Sequence, residues 1–199
     1  RLGDEIRVAQ GVYKPDEDTG SPTGTGDREA AFQLKNGVAL KGGYAGYGEQ
    51  DPDKRDIDMQ ETILSGDLEG NDIDPADPCD LLNEATRSEN SYHVVSGDNI
   101  DETAVLDGFI VTAGNADGTM DNYSSAGGGM FNNGHLNPCN PTVTACTFIA
   151  NSATEFGGAM FSYGHGDGES NPILTDCAFI GNASGQEGGG ILNCEADAV

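Results

Sequence analysis

Pro141-Thr142-Val143-Thr144-Ala145-Cys146-Thr147-Phe148-Ile149-Ala150-Asn151 is answered 31 residues later by Pro172-Ile173-Leu174-Thr175-Asp176-Cys177-Ala178-Phe179-Ile180-Gly181-Asn182. Pro, Thr, Cys, Phe, Ile and Asn coincide between the two stretches. A glycine cluster and an apolar pair follow each: Gly157-Gly158-Ala159-Met160-Phe161 and Gly188-Gly189-Gly190-Ile191-Leu192. The cluster occurs earlier as Gly127-Gly128-Gly129-Met130-Phe131, and a looser copy of the first strand as Leu106-Asp107-Gly108-Phe109-Ile110-Val111, with Asn115 after it. Self-similarity at a period of about 30 residues is the mark of a repeat architecture.

Each repeat holds two or three strands too short to bury a face alone. Stacking the repeats pairs every strand with its copy about 4.8 Å away. Like residues then form ladders: Cys146 on Cys177, Phe148 on Phe179, and Asn151 on Asn182. Cys and Phe, two apart, are expected on one strand face pointing inward. The asparagines are expected at the turn, bonding each other and otherwise unpaired backbone groups. The glycines permit positive φ and tight corners. An α-helical repeat does not survive Gly-Gly-Gly and Asn/Gly/Pro breaks every few residues. A β-sandwich does not account for the internal period. The expectation is an all-β fold, a right-handed parallel β-helix (solenoid), with long acidic loop insertions in the N-terminal half.

One domain is expected over 1–199. Residues 1–100 read as irregular coils with inserts, and 101–199 as regular repeats. Strands are expected at 5–9, 31–34, 38–41, 62–65 and 92–96, with loops at 15–28, 46–60 and 67–89. Because strands open and close the chain without a capping helix, it is expected to belong to a longer polypeptide or to an end-to-end assembly.

Charge narrows the partners. Nine Lys and Arg oppose 34 Asp and Glu, a net charge of −25, and no basic residue follows Arg87. Such a surface repels nucleic acid and anionic lipid and attracts cations. No apolar run is long enough to cross a bilayer, so neither nucleic acid nor membrane insertion is expected. The five cysteines, with no Cys-x-x-Cys, do not read as a zinc site. Cys146 and Cys177 fit either a disulfide or a ladder of buried thiols, and the ladder packs better.

The motifs Phe-x-x-Asn and Gly-Gly-(Ala/Gly)-(Met/Ile) resemble the repeats of the chlamydial polymorphic outer membrane proteins. They also resemble the wider set of secreted right-handed β-helix proteins in the pectate-lyase-like superfamily. Residues 3–13, 40–44 and 62–67 look like early coils of that set. The resemblance implies the fold and a secreted or cell-surface location. It implies little about activity, because the set includes adhesins and polysaccharide-degrading enzymes.

Gly164-His165-Gly166 resembles a motif of polygalacturonases, but their Asn-Thr-Asp, Asp-Asp and Arg-Ile-Lys strings are missing. Asp167 and Glu169 are the nearby carboxyls. A lyase base would have to come from Arg28, Lys35, Lys41, Lys54, Arg55 or Arg87. The leading ligand candidate is the stretch 67–77, where Asp67, Glu69, Asn71, Asp72, Asp74 and Asp77 surround a Gly. These oxygen donors suit Ca²⁺, although the spacing is not that of an EF-hand, and a solvated acidic loop explains them equally well. Tyr44, Tyr47 and Tyr163 can stack on sugar rings. The expected function is an extracellular structural or adhesive scaffold that self-associates through its ends into a fibre. The alternative is a module that binds or degrades polysaccharide.

Overall fold

In the computed structural model, which describes residues 3–73, 75–166 and 168–195, the chain winds through five successive coils. The first coil comprises β1 (Asp4–Ala9), β2 (Gly11–Tyr13) and β3 (Phe32–Gln33), and the second β4 (Val38–Tyr44), β5 (Thr62–Ser65) and β6 (Val95–Asp98). The third adds a short strand: β7 (Val105–Asp107), β8 (Ile110–Thr112), β9 (Asn115–Ala116) and β10 (Met130–His135). The fourth repeats it with β11 (Thr142–Thr144), β12 (Thr147–Ile149), β13 (Ser152–Ala153) and β14 (Met160–His165). The fifth is β15 (Ile173–Thr175), β16 (Ala178–Ile180), β17 (Ala183–Ser184) and β18 (Ile191–Glu195).

Corresponding strands of successive coils pair in parallel. The first sheet is β1-β4-β7-β11-β15, the second β2-β5-β8-β12-β16 and the third β3-β6-β10-β14-β18. A short fourth sheet is β9-β13-β17. This is a parallel β-solenoid. Its interior holds ladders of like residues. Leu64, Val111 and Phe148 stack in register in the second sheet, with Phe179 beyond, and Leu106 and Val143 do so in the first. The Phe148 and Phe179 rings stack with centroids 5.1 Å apart and planes nearly parallel.

The stretch 142–149 is two strands, not the single strand its alternation suggests. Ala145 sits at φ +50 between β11 and β12, and Asp176 takes the same place at φ +52. The chain turns a corner there, from the first sheet to the second. Cys146 and Phe148 both still point inward, at 1% and 0% exposure. Non-glycine residues at positive φ are uncommon, so alternation alone hid the corner. The fifth N-terminal strand is also displaced, running over Val95–Asp98 rather than 92–96.

The double glycine has a separate cause at each position. Gly157 holds φ +58, and Gly158 packs so closely that a Cβ there would lie 2.1 Å from the Ala183 carbonyl oxygen. The asparagines tie the following turn. Asn182 Oδ1 accepts hydrogen bonds from the Asn151 backbone N–H and side-chain amide, both at 3.0 Å. Asn151 Nδ2 also donates to the Val111 carbonyl, and its Oδ1 accepts from the Gly114 N–H. Gly114, not Asn115, occupies the ladder position in the third coil; Asn115 pairs with Ser152 in the fourth sheet. All five cysteines are free thiols.

Candidate functional site

The acidic insert leaves the solenoid where β5 ends. Asp67 shapes its first turn: Oδ1 accepts the N–H groups of Gly70 (2.6 Å) and Asn71 (3.1 Å), and Oδ2 that of Asp72 (3.2 Å). Asp72 Oδ2 then accepts from Arg87 Nη1 (3.1 Å) and Asn90 Nδ2 (2.8 Å). Arg87 is 1% exposed, and its Nη2 donates to the carbonyls of Gly114 and Ala150 at 3.0 Å each. Asn90 reaches the Ala113 carbonyl at 2.7 Å. The insert is therefore clamped onto the corner that follows β8 and β12.

This clamp gathers carboxylates. Oxygens of Asp67, Asp72 and Glu89 lie within 4.8 Å of one another, all three half-buried. Both Glu89 oxygens are shut off from solvent, and neither makes a well-formed hydrogen bond. Burial pushes the Glu89 carboxyl up to about 7, and the neighbouring charge of Asp67 adds to the effect. Such a trio matches the hard oxygen ligands that Ca²⁺ takes. Glu89 also faces a cleft of about 740 Å³ between the 14–26 and 67–89 loops. Asp16 lines the same cleft; it is 7% exposed and holds the N–H groups of Thr25 and Gly26 through Oδ2.

Of the six ligands expected from sequence, the structure brings Asp67 and Asp72 together. Glu69 instead accepts from the Asn71 side chain at 3.0 Å. Asp77 caps the 3₁₀ helix Pro78–Asn83 by accepting from the Cys79 N–H. Asp74 lies outside the described residues. Glu89, at the far end of the insert, was missed, because only the loop's return to its own start makes it a neighbour. Its signal was indirect: an acid next to the last basic residues of the chain.

The enzyme-like candidates do not converge. His165 is exposed on the outer face of the third sheet, 5.4 Å from the His135 ring and 5.9 Å from that of Tyr163. Glu169 accepts from the Asn171 side chain, and Asp167 lies outside the described residues. The basic residues mostly hold structure. Arg28 pairs with Asp117 and covers the Tyr92 ring, Arg55 pairs with Asp107 at 2.7 Å, and Lys41 with Glu5 at 2.6 Å. Among the described residues no helix is long and apolar enough to cross a membrane. No known protein family, curated protein or solved structure matches the chain.

Proposed function

We propose that the chain is a non-catalytic structural or adhesive scaffold, secreted or displayed at a cell surface. The observation that carries this reading is the parallel stacking of five coils, strand on corresponding strand, which makes a stiff body whose side faces are repeated at each rung. A solenoid of this kind offers extended surfaces for binding rather than a single enclosed pocket. Arg28, Lys41, Arg55 and Arg87 are engaged in ion pairs and backbone contacts, which argues against these four as a lyase base. Ca²⁺ at the Asp67, Asp72 and Glu89 trio belongs to the proposal as a brace for the insert. So does self-association, in which a second copy adds its strands to the outermost ones of each sheet.

Electron microscopy with and without Ca²⁺ tests it. Filaments with a regular axial repeat are expected. Dispersed particles in both conditions remove the fibre, and cleavage of a polysaccharide in a reducing-end assay overturns the non-catalytic reading.

A second reading, binding of polysaccharide, has one specific support. Tyr163 stands 4.9 Å from Tyr123 and stacks with His165, so rings line the outer face of the third sheet. Such rings suit sugar faces. Calorimetric titration with neutral and acidic polysaccharides tests it, and binding that survives Tyr163→Ala counts against this face.

A further inference from the structure

The outer face of the second sheet points to a different kind of partner. Val12 pairs with Ile63, and Ile63 with Ile110, all on the outward row. Two residues further along the strands, Ile149 pairs with Ile180. These side chains form an apolar strip along the stack. Val12 is 59% exposed and Ile180 51%, while Ile63, Ile110 and Ile149 are half-buried.

The strip lies at the bottom of a groove, because inserts rise on both sides of it. Residues 57–61 precede β5 and wall one side, bringing Ile57, Asp58 and Glu61 against Gly108 and Ile110. The insert after β5 walls the other, where Pro75, Pro78 and Leu81 face Ile110, Ile149 and Ile180 across about 400 Å³. The rims are acidic. Asp58 and Glu61 are exposed on one, and Asp77 and Asp80 on the other. Arg55, near the first rim, is matched by Asp107 at 2.7 Å. The coils from residue 88 onward contribute no Lys or Arg.

We propose that this groove receives a basic amphipathic helix of a partner protein. An apolar floor asks for an apolar face, and acidic rims ask for Lys and Arg flanking it. Length agrees as well. Five strands at about 4.8 Å span about 19 Å, which a helix of about 13 residues covers. A second copy of this chain is disfavoured as the occupant, since the longest helix among its described residues is the six-residue 3₁₀ turn Pro78–Asn83. The inference deepens the adhesive-scaffold reading by naming the partner's chemistry, and does not depend on filament formation.

The probe is a fluorescent 14-residue peptide of Leu and Lys with leucines at i, i+3, i+4 and i+7, followed by anisotropy. A scrambled peptide of equal composition and a version with Glu for Lys are the comparators. The amphipathic basic peptide is expected to bind at least about tenfold tighter than either. The double variant Ile149→Ser with Ile180→Ser is expected to weaken it by about tenfold or more, through lost apolar burial. The exposed-rim variant Asp58→Lys with Glu61→Lys, which leaves the floor intact, is expected to weaken it severalfold and to flatten its salt dependence. Equal binding of the three peptides, or unchanged affinity in both variants, overturns the proposal. So does a dimer in light scattering that the floor variant dissolves, since the groove would then be a self-interface. Filaments without peptide binding would sink this inference alone, and peptide binding without filaments would sink only the fibre.

Discussion

Arg87 Nη1 lies 3.1 Å from Asp72 Oδ2, and the two side chains are only 1% and 10% exposed. This pair joins the acidic insert to the solenoid wall, because the same guanidinium also holds carbonyls of two successive coils. A charge so deeply placed is tolerated only while paired and hydrogen-bonded. Arg87→Met leaves Asp72 and two carbonyls with less than they need. Breaking such a buried pair from one side costs about 3–5 kcal/mol. The variant is expected to unfold at much lower urea, and Arg87→Lys, with a shorter reach and no planar fork, to recover only part of the loss. An unchanged urea midpoint in Arg87→Met would show that the clamp carries little of the stability.

The asparagine ladder gives a second prediction. Asn151 sits fully buried and its amide serves Val111, Gly114 and Asn182 at once. Asn151→Ala strands the Gly114 N–H inside the turn and takes one donor from the Val111 carbonyl. Each buried polar group left without a partner costs about 1–3 kcal/mol. Asn182 is less enclosed, so Asn182→Ala is expected to cost less. Thermal melts followed by circular dichroism rank the two, and the reverse order would contradict the ladder as the source of the effect.

The parts legible in the sequence were those that repeat. Cys146 and Cys177, Phe148 and Phe179, and Asn151 and Asn182 revealed the coil because the fourth and fifth coils carry the same residue at these rungs. The corner at Ala145 was hidden, since Ala and Asp there adopt a backbone state usually left to glycine. The candidate cation site was half visible. Asp67 and Asp72 stand close in sequence, whereas Glu89 joins them only because Arg87 and Asn90 pin the loop's return. A buried arginine cannot be told from a solvated one by composition, so nothing local announced the clamp. The groove over the second sheet needed the stacked coils before Ile63, Ile110, Ile149 and Ile180 could be seen as one face.

A cation at the trio replaces mutual repulsion between carboxylates with attraction. Ca²⁺ is therefore expected to raise the thermal midpoint of the native protein. A ligand present at a hundredfold over its Kd stabilises by about 2.7 kcal/mol. Glu89→Gln keeps the shape but removes one ligand charge, and is expected to abolish the Ca²⁺-dependent shift. Asp77→Asn, at the 3₁₀ cap away from the trio, is expected to keep it. A shift of equal size in all three proteins would mean that Ca²⁺ acts on the acidic surface at large.

His93 supplies an acid-sensitive element elsewhere on the stack. Its ring lies 5.1 Å from that of Phe131, and Nδ1–H donates to the Gly127 carbonyl at 3.0 Å. Burial holds its pKa down at about 4, against an ordinary value of 6.5. Above pH 6.5 the ring is neutral in both folded and unfolded chains, and His93 adds no pH dependence. Between 6.5 and 4 the unfolded chain takes up the proton and the folded one does not. Stability is therefore lost as pH falls through that window, and the loss levels off below 4. At about 1.4 kcal/mol per pKa unit, the ceiling is about 3 kcal/mol. His93→Phe keeps an aromatic ring beside Phe131 and has no proton to bind. Losing the bond to Gly127 lowers its stability at every pH, so the informative quantity is the slope. Urea midpoints measured at pH 7.5 and 5.0 are expected to differ less in His93→Phe than in the native protein. Equal differences in the two proteins would assign the acid sensitivity to the carboxylates instead.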